Sequence, residues 1–323
     1  MTEKERIAKT EAEEYWGGLG IDSPEDLNRW IRQGESQRLV DLQEDYQEKK
    51  LEEMVLQILS DEKIRTIWIA GPSSSGKTSF AGKLARALEQ KGRKTHSIGL
   101  DDYFVDRDDC PLDEEGKKDF ESLNAVDVAL FSSHMETLAK GGQVDLPTYN
   151  FLTGKREYRG NRIRQGKGEY ILVEGIHALN PEISGNMAQD EKLEIFACPV
   201  YTLKEKDGEN IPPRDMRMIR RIVRDSRLRG YKAEQTIAMW ESVVRGERKH
   251  IFPYRQEADL EYDTSFIYEL AILKSQIMPQ IRDLPEEGPV GSLVARLRDL
   301  CALVTEMPPV KLPEGSIIRE FVG

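Results

Sequence analysis

The feature that most constrains this chain is the segment from Gly71 to Thr78, which reads GPSSSGKT. It fits the pattern G-x-x-x-x-G-K-[ST], in which glycines let successive backbone N–H groups curl around phosphate oxygens. The apolar run at residues 64–70 before it predicts a buried strand. The amphipathic pattern from Lys77 to Gln90 after it predicts a helix. A strand, a glycine-rich loop and a helix in this order predict a mononucleotide-binding α/β fold.

Each residue type in this loop has a mechanical role in holding a nucleoside triphosphate. The N-terminus of the following helix adds free N–H groups and the positive end of its dipole. Lys77 is a mobile charge that can reach the β- and γ-phosphates, and Thr78 offers a hydroxyl to Mg²⁺. The predicted nucleotide-binding residues of the loop are Gly71, Ser73, Ser74, Ser75, Gly76, Lys77, Thr78 and Ser79.

Apolar runs elsewhere predict three more strands, with helical patterns between them. This alternation predicts a doubly wound, mostly parallel sheet, which is the P-loop NTPase fold class. The additional strands are expected at residues 94–100, 170–173 and 193–197. Helices are expected at residues 36–60, 213–228, 233–247, 270–281 and 292–304, and the proline-containing C-terminal tail is expected to be extended.

Composition excludes several classes of partner. The net charge is -11 and the pI is about 5.2, so the overall field of the chain disfavours nucleic-acid binding. The three cysteines are far apart in the sequence, and none of their spacings is typical of a metal or redox site. No run approaches the ~18 apolar residues that a membrane span requires. We expect a cytoplasmic protein with no membrane association.

Two carboxylates follow predicted strands. Asp101 comes directly after the second strand, and Glu174 ends the strand YILV. The carboxyl ends of parallel strands share one edge of the sheet, where ligands bind. A carboxylate there can accept a proton from an attacking hydroxyl or bind Mg²⁺. Alternatively, Asp101 and Asp102 only cap a turn, or Glu174 is a solvated acid at a strand end.

The segment from Arg214 to Arg229 holds seven arginines in a chain that is otherwise acidic. Four of them share one side of a predicted helix: Arg217, Arg220, Arg221 and Arg224. Such a helix can neutralise a triphosphate at the transition state, although a solvated face paired with aspartates is the alternative. The chain has no N-K-x-D segment, which guanine-specific switches usually carry, and no second apolar run that ends in Asp-Glu. A small-molecule kinase is therefore favoured over a GTPase or an ATPase motor.

Taken together, these motifs resemble the uridine–cytidine kinase family, within the uridine kinase and phosphoribulokinase group, over residues 64–259. The segment GPSSSGKTSF looks like the P-loop of the family, and LDDYF is similar to its catalytic Asp-Ser-Phe-Tyr motif. ILVEGIHAL is similar to a strand of the family that ends in Glu-Gly. The resemblance implies MgATP as donor and the 5′-hydroxyl of a nucleoside as acceptor. It also implies that Asp101 is the catalytic base and that Thr78, Asp101 and Glu174 hold Mg²⁺.

The resemblance also implies which residues contact the acceptor and which contact the phosphates of ATP. DFESLNAVD, PTYNFLTGKR and the basic helix are similar to family segments that contact the acceptor. The implied acceptor contacts are Glu121, Tyr149, Phe151, Arg217 and Gln235. The implied phosphate-side arginines are Arg220 and Arg224, both catalytic, and Arg221, which binds ATP.

The sequence departs from the family pattern at two positions. Gly154 stands where the family has a histidine that reads the base, and Glu121 stands where it has an aspartate that binds the ribose. A changed hydrogen-bonding group can change which base is accepted. The chain also resembles the kinase module of a bacterial subgroup that carries a threonyl-tRNA-synthetase-like N-terminal extension.

Three units are predicted along the chain. Residues 1–61 form a helical extension, residues 62–285 form the kinase domain with a lid at about 205–250, and residues 286–323 form a helix with an extended tail. The helix at 36–60 either packs on the kinase core or forms an interface between copies. The alternative functions are a kinase for another small alcohol, such as a sugar phosphate or pantothenate-like molecule, and an ATP-binding regulatory module that has lost its activity.

Overall fold

A five-stranded sheet organises the part of the chain that the computed structural model describes, which is residues 2–184, 188–288 and 290–323. Its strand order is β2-β5-β1-β6-β7, and all four neighbouring pairs are parallel. Its strands are β1 (Thr66–Ala70), β2 (Thr95–Gly99), β5 (Tyr170–Glu174), β6 (Lys192–Cys198) and β7 (Leu260–Asp263). The prediction of an α/β fold with a parallel sheet is confirmed. Met1 and Pro289, which fall in the predicted terminal units, lie outside the described residues.

Helices cover both faces of the sheet. The predicted helices at 36–60, 77–90 and 213–228 are confirmed at both ends, and the other three begin or end within three residues of the predicted positions. The helices are α1 (Glu3–Gly18), α2 (Pro24–Arg32), α3 (Ser36–Ser60), α4 (Lys77–Gln90), α5 (Val128–Ala139), α6 (Pro181–Ser184), α7 (Pro213–Leu228), α8 (Ala233–His250), α9 (Glu269–Ile281), α10 (Gly291–Leu303) and α11 (Arg319–Val322).

The strands are buried on both faces because successive side chains point to opposite sides. Ile67 and Ile69 of β1 join a core that includes α3, α4, α7, α9 and α10. Trp68 and Ala70 join a second core with α5 and the segment after β2. This explains why strand β1 reads as a continuous apolar run.

A two-stranded antiparallel hairpin lies outside the main sheet. It pairs β3 (Val144–Asn150) with β4 (Lys155–Ile163), and a bulge falls between Leu146 and Pro147. Sequence patterning misses this hairpin because β4 is largely exposed and charged. The hairpin turn carries Phe151 and Gly154 toward the carboxyl edge of the main sheet.

The terminal segments pack on the core around the sheet. Helix α3 buries Leu39, Leu51 and Ile58 in the core that α4 also lines, which is the first of the two arrangements expected for it. Between α10 and α11, where every residue is described, the chain forms no helix or strand. Ile317, Ile318 and Phe321 are then fully buried. Within the described residues, no helix combines the length and apolar character needed to cross a membrane.

Candidate active site

The loop from Gly71 to Thr78 connects β1 to α4 and leaves no space for side chains at two of its glycines. A Cβ on Gly71 would lie 2.1 Å from the carbonyl oxygen of Ala197. Gly76 has a φ of 85°, and a Cβ there would lie 2.8 Å from Cγ2 of Ile317. Ser74 is the one non-glycine residue of the described chain with a positive φ, at 58°. Loop curvature of this kind turns backbone N–H groups toward a common centre.

Two buried ion pairs hold the loop from beneath. Glu247 of α8 accepts a hydrogen bond of 3.1 Å from the backbone nitrogen of Ser73 and binds Arg217 through both oxygens, at 2.5 and 2.8 Å. Arg217 also donates to the carbonyl oxygen of Ser73 at 3.0 Å. Arg220 pairs with Glu269 of α9 and donates to the carbonyl oxygen of Ser75 at 3.1 Å. These contacts fix the loop conformation without a ligand.

The arginines of α7 therefore divide into two groups. The side chains of Arg217 and Arg220 are buried below the loop, and neither is among the described residues that line the cavity above it. Arg221 and Arg224 do line the cavity. Arg221 donates to Ser73 Oγ at 2.6 Å, and Arg224 pairs with Asp225 at 2.9 Å. Two of the four predicted arginines thus face a position that a triphosphate could occupy.

The cavity has a volume of about 330 Å³ and extends from the loop to the hairpin turn. Its phosphate-side lining comes from the loop and the start of α4: Ser73, Ser74, Gly76, Lys77, Thr78 and Ser79. Its other side includes Phe104, Phe120, Glu121, Tyr149, Phe151 and Ile176. Gln235 is exposed, and its side chain accepts a hydrogen bond from Lys232 N at the start of α8. It is not among the described lining residues.

Asp101 and Glu174 lie at the same edge of the sheet as the loop. In the sheet, β5 lies between β1 and β2. Glu174 thus ends the middle strand, and its Oε1 accepts a hydrogen bond of 3.1 Å from Thr78 Oγ1. Burial raises the pKa of Glu174 to about 7; Lys77 opposes this rise, and Asp101 adds to it.

This arrangement fits a Mg²⁺ ion that is bound largely by phosphates and water. Mg²⁺ prefers oxygen ligands and usually takes only one or two carboxylates from the protein. Thr78, Asp101 and Glu174 provide a hydroxyl and two carboxylates, and burial disfavours the charged form of Glu174, which a bound cation would stabilise. No cluster of three or more His, Cys, Asp or Glu side chains suited to a metal occurs among the residues that the structure describes.

The other side of the cavity is aromatic. Phe151 packs edge-on against Tyr149 at 5.1 Å between ring centroids and against Phe104 at 6.5 Å. The guanidinium of Arg229 lies 4.7 Å from the centroid of the Phe151 ring. The backbone nitrogen of Tyr149 donates to Asp102 Oδ1 at 3.0 Å, which ties the hairpin to the segment after β2.

Glu121 lies between the two sides. Its carboxyl is buried, and its Oε2 has no hydrogen-bond partner among the described residues. Burial raises the pKa of Glu121 to about 7, with Arg221, 3.9 Å away, opposing this rise. A buried carboxylate oxygen without a partner is costly, so it is suited to accept a hydrogen bond from a ligand hydroxyl.

Sequence reasoning missed several charged residues of this region, Arg229 among them. Glu247 holds the loop, Arg107 lines the aromatic side, and Glu320 of α11 accepts a hydrogen bond of 2.7 Å from Ser79 Oγ at the cavity wall. The sequence did contain a hint for Glu320, because the apolar residues Ile317, Ile318 and Phe321 surround it in an otherwise polar tail. Such a group of apolar residues indicates that the tail packs against the rest of the protein. Glu247 and Arg107 have no sequence signal of their own.

Comparisons with known proteins show which family and which relatives this chain is similar to. The profile of the Phosphoribulokinase / Uridine kinase family matches residues 66–265, which is more than half of the chain. The uridine kinases of Salmonella typhimurium and Salmonella typhi are each 29% identical over 198 residues, covering 60% of this chain and 84% of theirs. A solved structure titled as a possible uridine kinase from Bacillus stearothermophilus has 17% identity and a TM-score of 0.46, covering 67% of this chain and 98% of that one.

Proposed function

Since the chain belongs to the phosphoribulokinase/uridine kinase family, we propose that it transfers the γ-phosphoryl group of MgATP to the 5′-hydroxyl of a nucleoside. The observation that supports this best is a single cavity bordered by the P-loop, by Asp101 and by an aromatic surface. A phosphoryl donor and a flat acceptor could both enter it. The coarser assignment, a P-loop kinase of this family, does not depend on the identity of the acceptor.

On the donor side, the P-loop backbone and Lys77 bind the phosphates. Arg221 and Arg224 face the same space and stabilise the charge that develops on the transferred group. Arg217 and Arg220 contribute indirectly, because their ion pairs fix the loop carbonyls. Catalysis of phosphoryl transfer depends mainly on positioning and electrostatic stabilisation, which this rigid arrangement supplies.

Asp101 is the proposed general base. It takes the proton of the acceptor hydroxyl as the hydroxyl oxygen bonds to the γ-phosphorus and the bond to the β-phosphate oxygen breaks. Thr78, Asp101 and Glu174 would hold the Mg²⁺ ion, which when bound neutralises charge on the β- and γ-phosphates. Glu174 must lose its proton for this role, which its pKa of about 7 allows near neutral pH.

On the acceptor side, Glu121 accepts a hydrogen bond from a ribose hydroxyl, and Tyr149 and Phe151 border the base. A ribose hydroxyl would satisfy the carboxylate oxygen of Glu121 that has no partner among the described residues. Gln235 is left out of these proposed contacts because it is exposed outside the cavity.

A screen for ADP release tests the proposal. The chain is incubated with MgATP and one acceptor at a time, including the common nucleosides and, as a second class, sugar phosphates and pantothenate-like alcohols. Saturable ADP release with a nucleoside, together with detection of its 5′-monophosphate, is the expected result. Turnover only with an alcohol of the second class would reject the nucleoside while retaining the kinase. No turnover with any acceptor would reject the proposed function.

A further inference from the structure

Arg107 has no part in the proposed mechanism, yet it lies on the aromatic side of the cavity. It lies in the segment after β2, six residues beyond Asp101. Its backbone nitrogen donates to the carbonyl oxygen of Gly154 at 2.8 Å. Its Nη2 donates to the carbonyl oxygen of Phe151. The residue is therefore fixed against the hairpin turn that carries the aromatic surface.

The Arg107 side chain occupies the space that a side chain at position 154 would need. A Cβ on Gly154 would lie 2.7 Å from Arg107 Cβ and 2.8 Å from its Nε. Gly154 also has a φ of 71°, which disfavours other residues. The Arg107 side chain can therefore pack in this position only because residue 154 is a glycine.

Arg107 differs from the buried arginines of α7 in its electrostatic surroundings. Arg217 and Arg220 are each neutralised by a carboxylate at hydrogen-bond distance. No Asp or Glu side chain in the described part of the chain lies within 4.0 Å of the Arg107 guanidinium. The guanidinium therefore keeps hydrogen-bond donors and a positive charge available to a ligand in the cavity.

We infer that Arg107 selects acceptors that present a hydrogen-bond-accepting oxygen, either carbonyl or anionic, on the aromatic side of the cavity. The inference rests on the proposed function, since it assigns this side to the acceptor. A guanidinium has five donors and no acceptor, so it binds carbonyl, carboxylate and phosphate oxygens and disfavours amino groups. It thereby determines specificity without taking part in proton or phosphoryl transfer.

For nucleosides the inference predicts a direction of preference. Uracil presents a carbonyl oxygen where cytosine presents an amino group, as thymine and cytosine do in DNA. Uridine should therefore be preferred to cytidine. The Arg107 guanidinium would also favour a phosphorylated alcohol over its unphosphorylated form, because it binds phosphate oxygens. Comparing uridine with cytidine, and a phosphorylated alcohol with its parent alcohol, shows whether the bound oxygen belongs to a carbonyl or to a phosphate.

The experiment compares kcat/KM for uridine and cytidine, and for a sugar phosphate and its parent sugar, in the wild type, Arg107→Ala and Arg107→Lys. The wild type should prefer the oxygen-bearing member of at least one pair. Arg107→Ala should lower kcat/KM for that member by about 10- to 100-fold, the usual effect of losing a charge-assisted hydrogen bond. Arg107→Lys should retain an anionic acceptor better than a carbonyl one, because the ammonium keeps the charge but loses the planar arrangement of donors that fixes the geometry of the hydrogen bonds. The KM for ATP should not change.

The exposed Arg164, beyond the end of β4, provides a matched control, and Arg164→Ala should leave all ratios unchanged. If the wild type is active but Arg107→Ala keeps the same acceptor preference, the inference is wrong and the proposed function stands. An equal loss on every acceptor, accompanied by a lower Tm, would assign Arg107 a structural role and also reject the inference. A wild type that phosphorylates no acceptor would reject both proposals.

Discussion

The two sides of the cavity are built differently. On the phosphate side, buried ion pairs from α7 to Glu247 and Glu269 hold the loop carbonyls, and Ile317 packs against Gly76. On the aromatic side, the hairpin turn leaves Phe151 38% exposed and Leu152 76% exposed. The phosphate side is thus preorganised, which suits the phosphoryl transfer that we propose for it. The aromatic side has fewer fixed contacts, which suits the part of a site that differs among substrates.

The first prediction concerns the reacting centre, where the two sides meet. Asp101→Asn should lower kcat by roughly 10²- to 10⁴-fold, because an amide cannot accept the hydroxyl proton. The KM for ATP should change little. Steady-state ADP release with the best acceptor measures both. The exposed Asp108→Asn is the matched control, and an Asp101→Asn enzyme with normal kcat would remove Asp101 from the mechanism.

The second prediction tests how rigidly the phosphate side is built. Arg220→Ala should lower the free energy of unfolding by about 3–5 kcal/mol, because Glu269 would be left as a buried charge without its partner. Urea denaturation measures this. The exposed Arg214→Ala on the same helix should cost less than about 0.5 kcal/mol. Arg220→Met combined with Glu269→Leu should recover stability, and its failure to do so would indicate that contacts other than the ion pair dominate.

The third prediction concerns Glu121, at the boundary between the sides. Its pKa is about 7 in the folded chain and about 4.3 in an unfolded one, so the folded state binds more protons between these values. The free energy of unfolding of the ligand-free protein should therefore fall as pH rises from about 4 to 7. Because glutamine does not titrate, the free energy of unfolding of Glu121→Gln should fall by roughly 3 kcal/mol less over this pH range than that of the wild type.

Denaturation at pH 5 and pH 8 measures the contribution of Glu121. The exposed Glu182→Gln should keep the pH dependence of the wild type. Equal slopes for Glu121→Gln and the wild type would show that the carboxyl stays ionised across this range. The negative charge of Glu121 would then already be compensated in the ligand-free protein, so the cost of an unpaired carboxylate oxygen would no longer support a contact with a ligand hydroxyl.

The smallest effect is expected on the aromatic side. Phe151→Ala should raise the acceptor KM by about 5- to 10-fold, since aromatic contact with a base contributes about 1 kcal/mol or more. It should cost less than about 1 kcal/mol of stability because the ring is partly exposed. Leu152→Ala, its neighbour outside the cavity lining, should change neither quantity. A large loss of stability in Phe151→Ala would mean that the aromatic side is as rigid as the phosphate side.

The helices and strands that the sequence predicted best are those with a single strong hydrophobic pattern. Helices α4 and α7 have strong amphipathic patterns, and β1 and β5 are buried on both faces. The β3–β4 hairpin was missed because Pro147 interrupts β3 and because β4 is largely exposed and charged. Helix α11 was missed because the prolines before it predict an extended tail.

The same contrast applies within the site. The loop residues, Asp101 and Glu174 could be predicted because spacing and strand ends determine their positions. The roles of the four arginines on α7 could not be separated in this way. Arg217 and Arg220 are buried because Glu247 and Glu269, 30 and 49 residues further along the chain, lie against them.

By itself, the sequence determined that this chain folds around a phosphate loop at the edge of a parallel sheet, because that information is local and periodic. Tertiary structure alone decided which arginines hold the loop and which face the cavity. It also decided that Arg107 occupies the space above Gly154, and that Glu320 reaches Ser79 from the far end of the chain. These outcomes depend on contacts between distant segments, and no spacing within one segment encodes them.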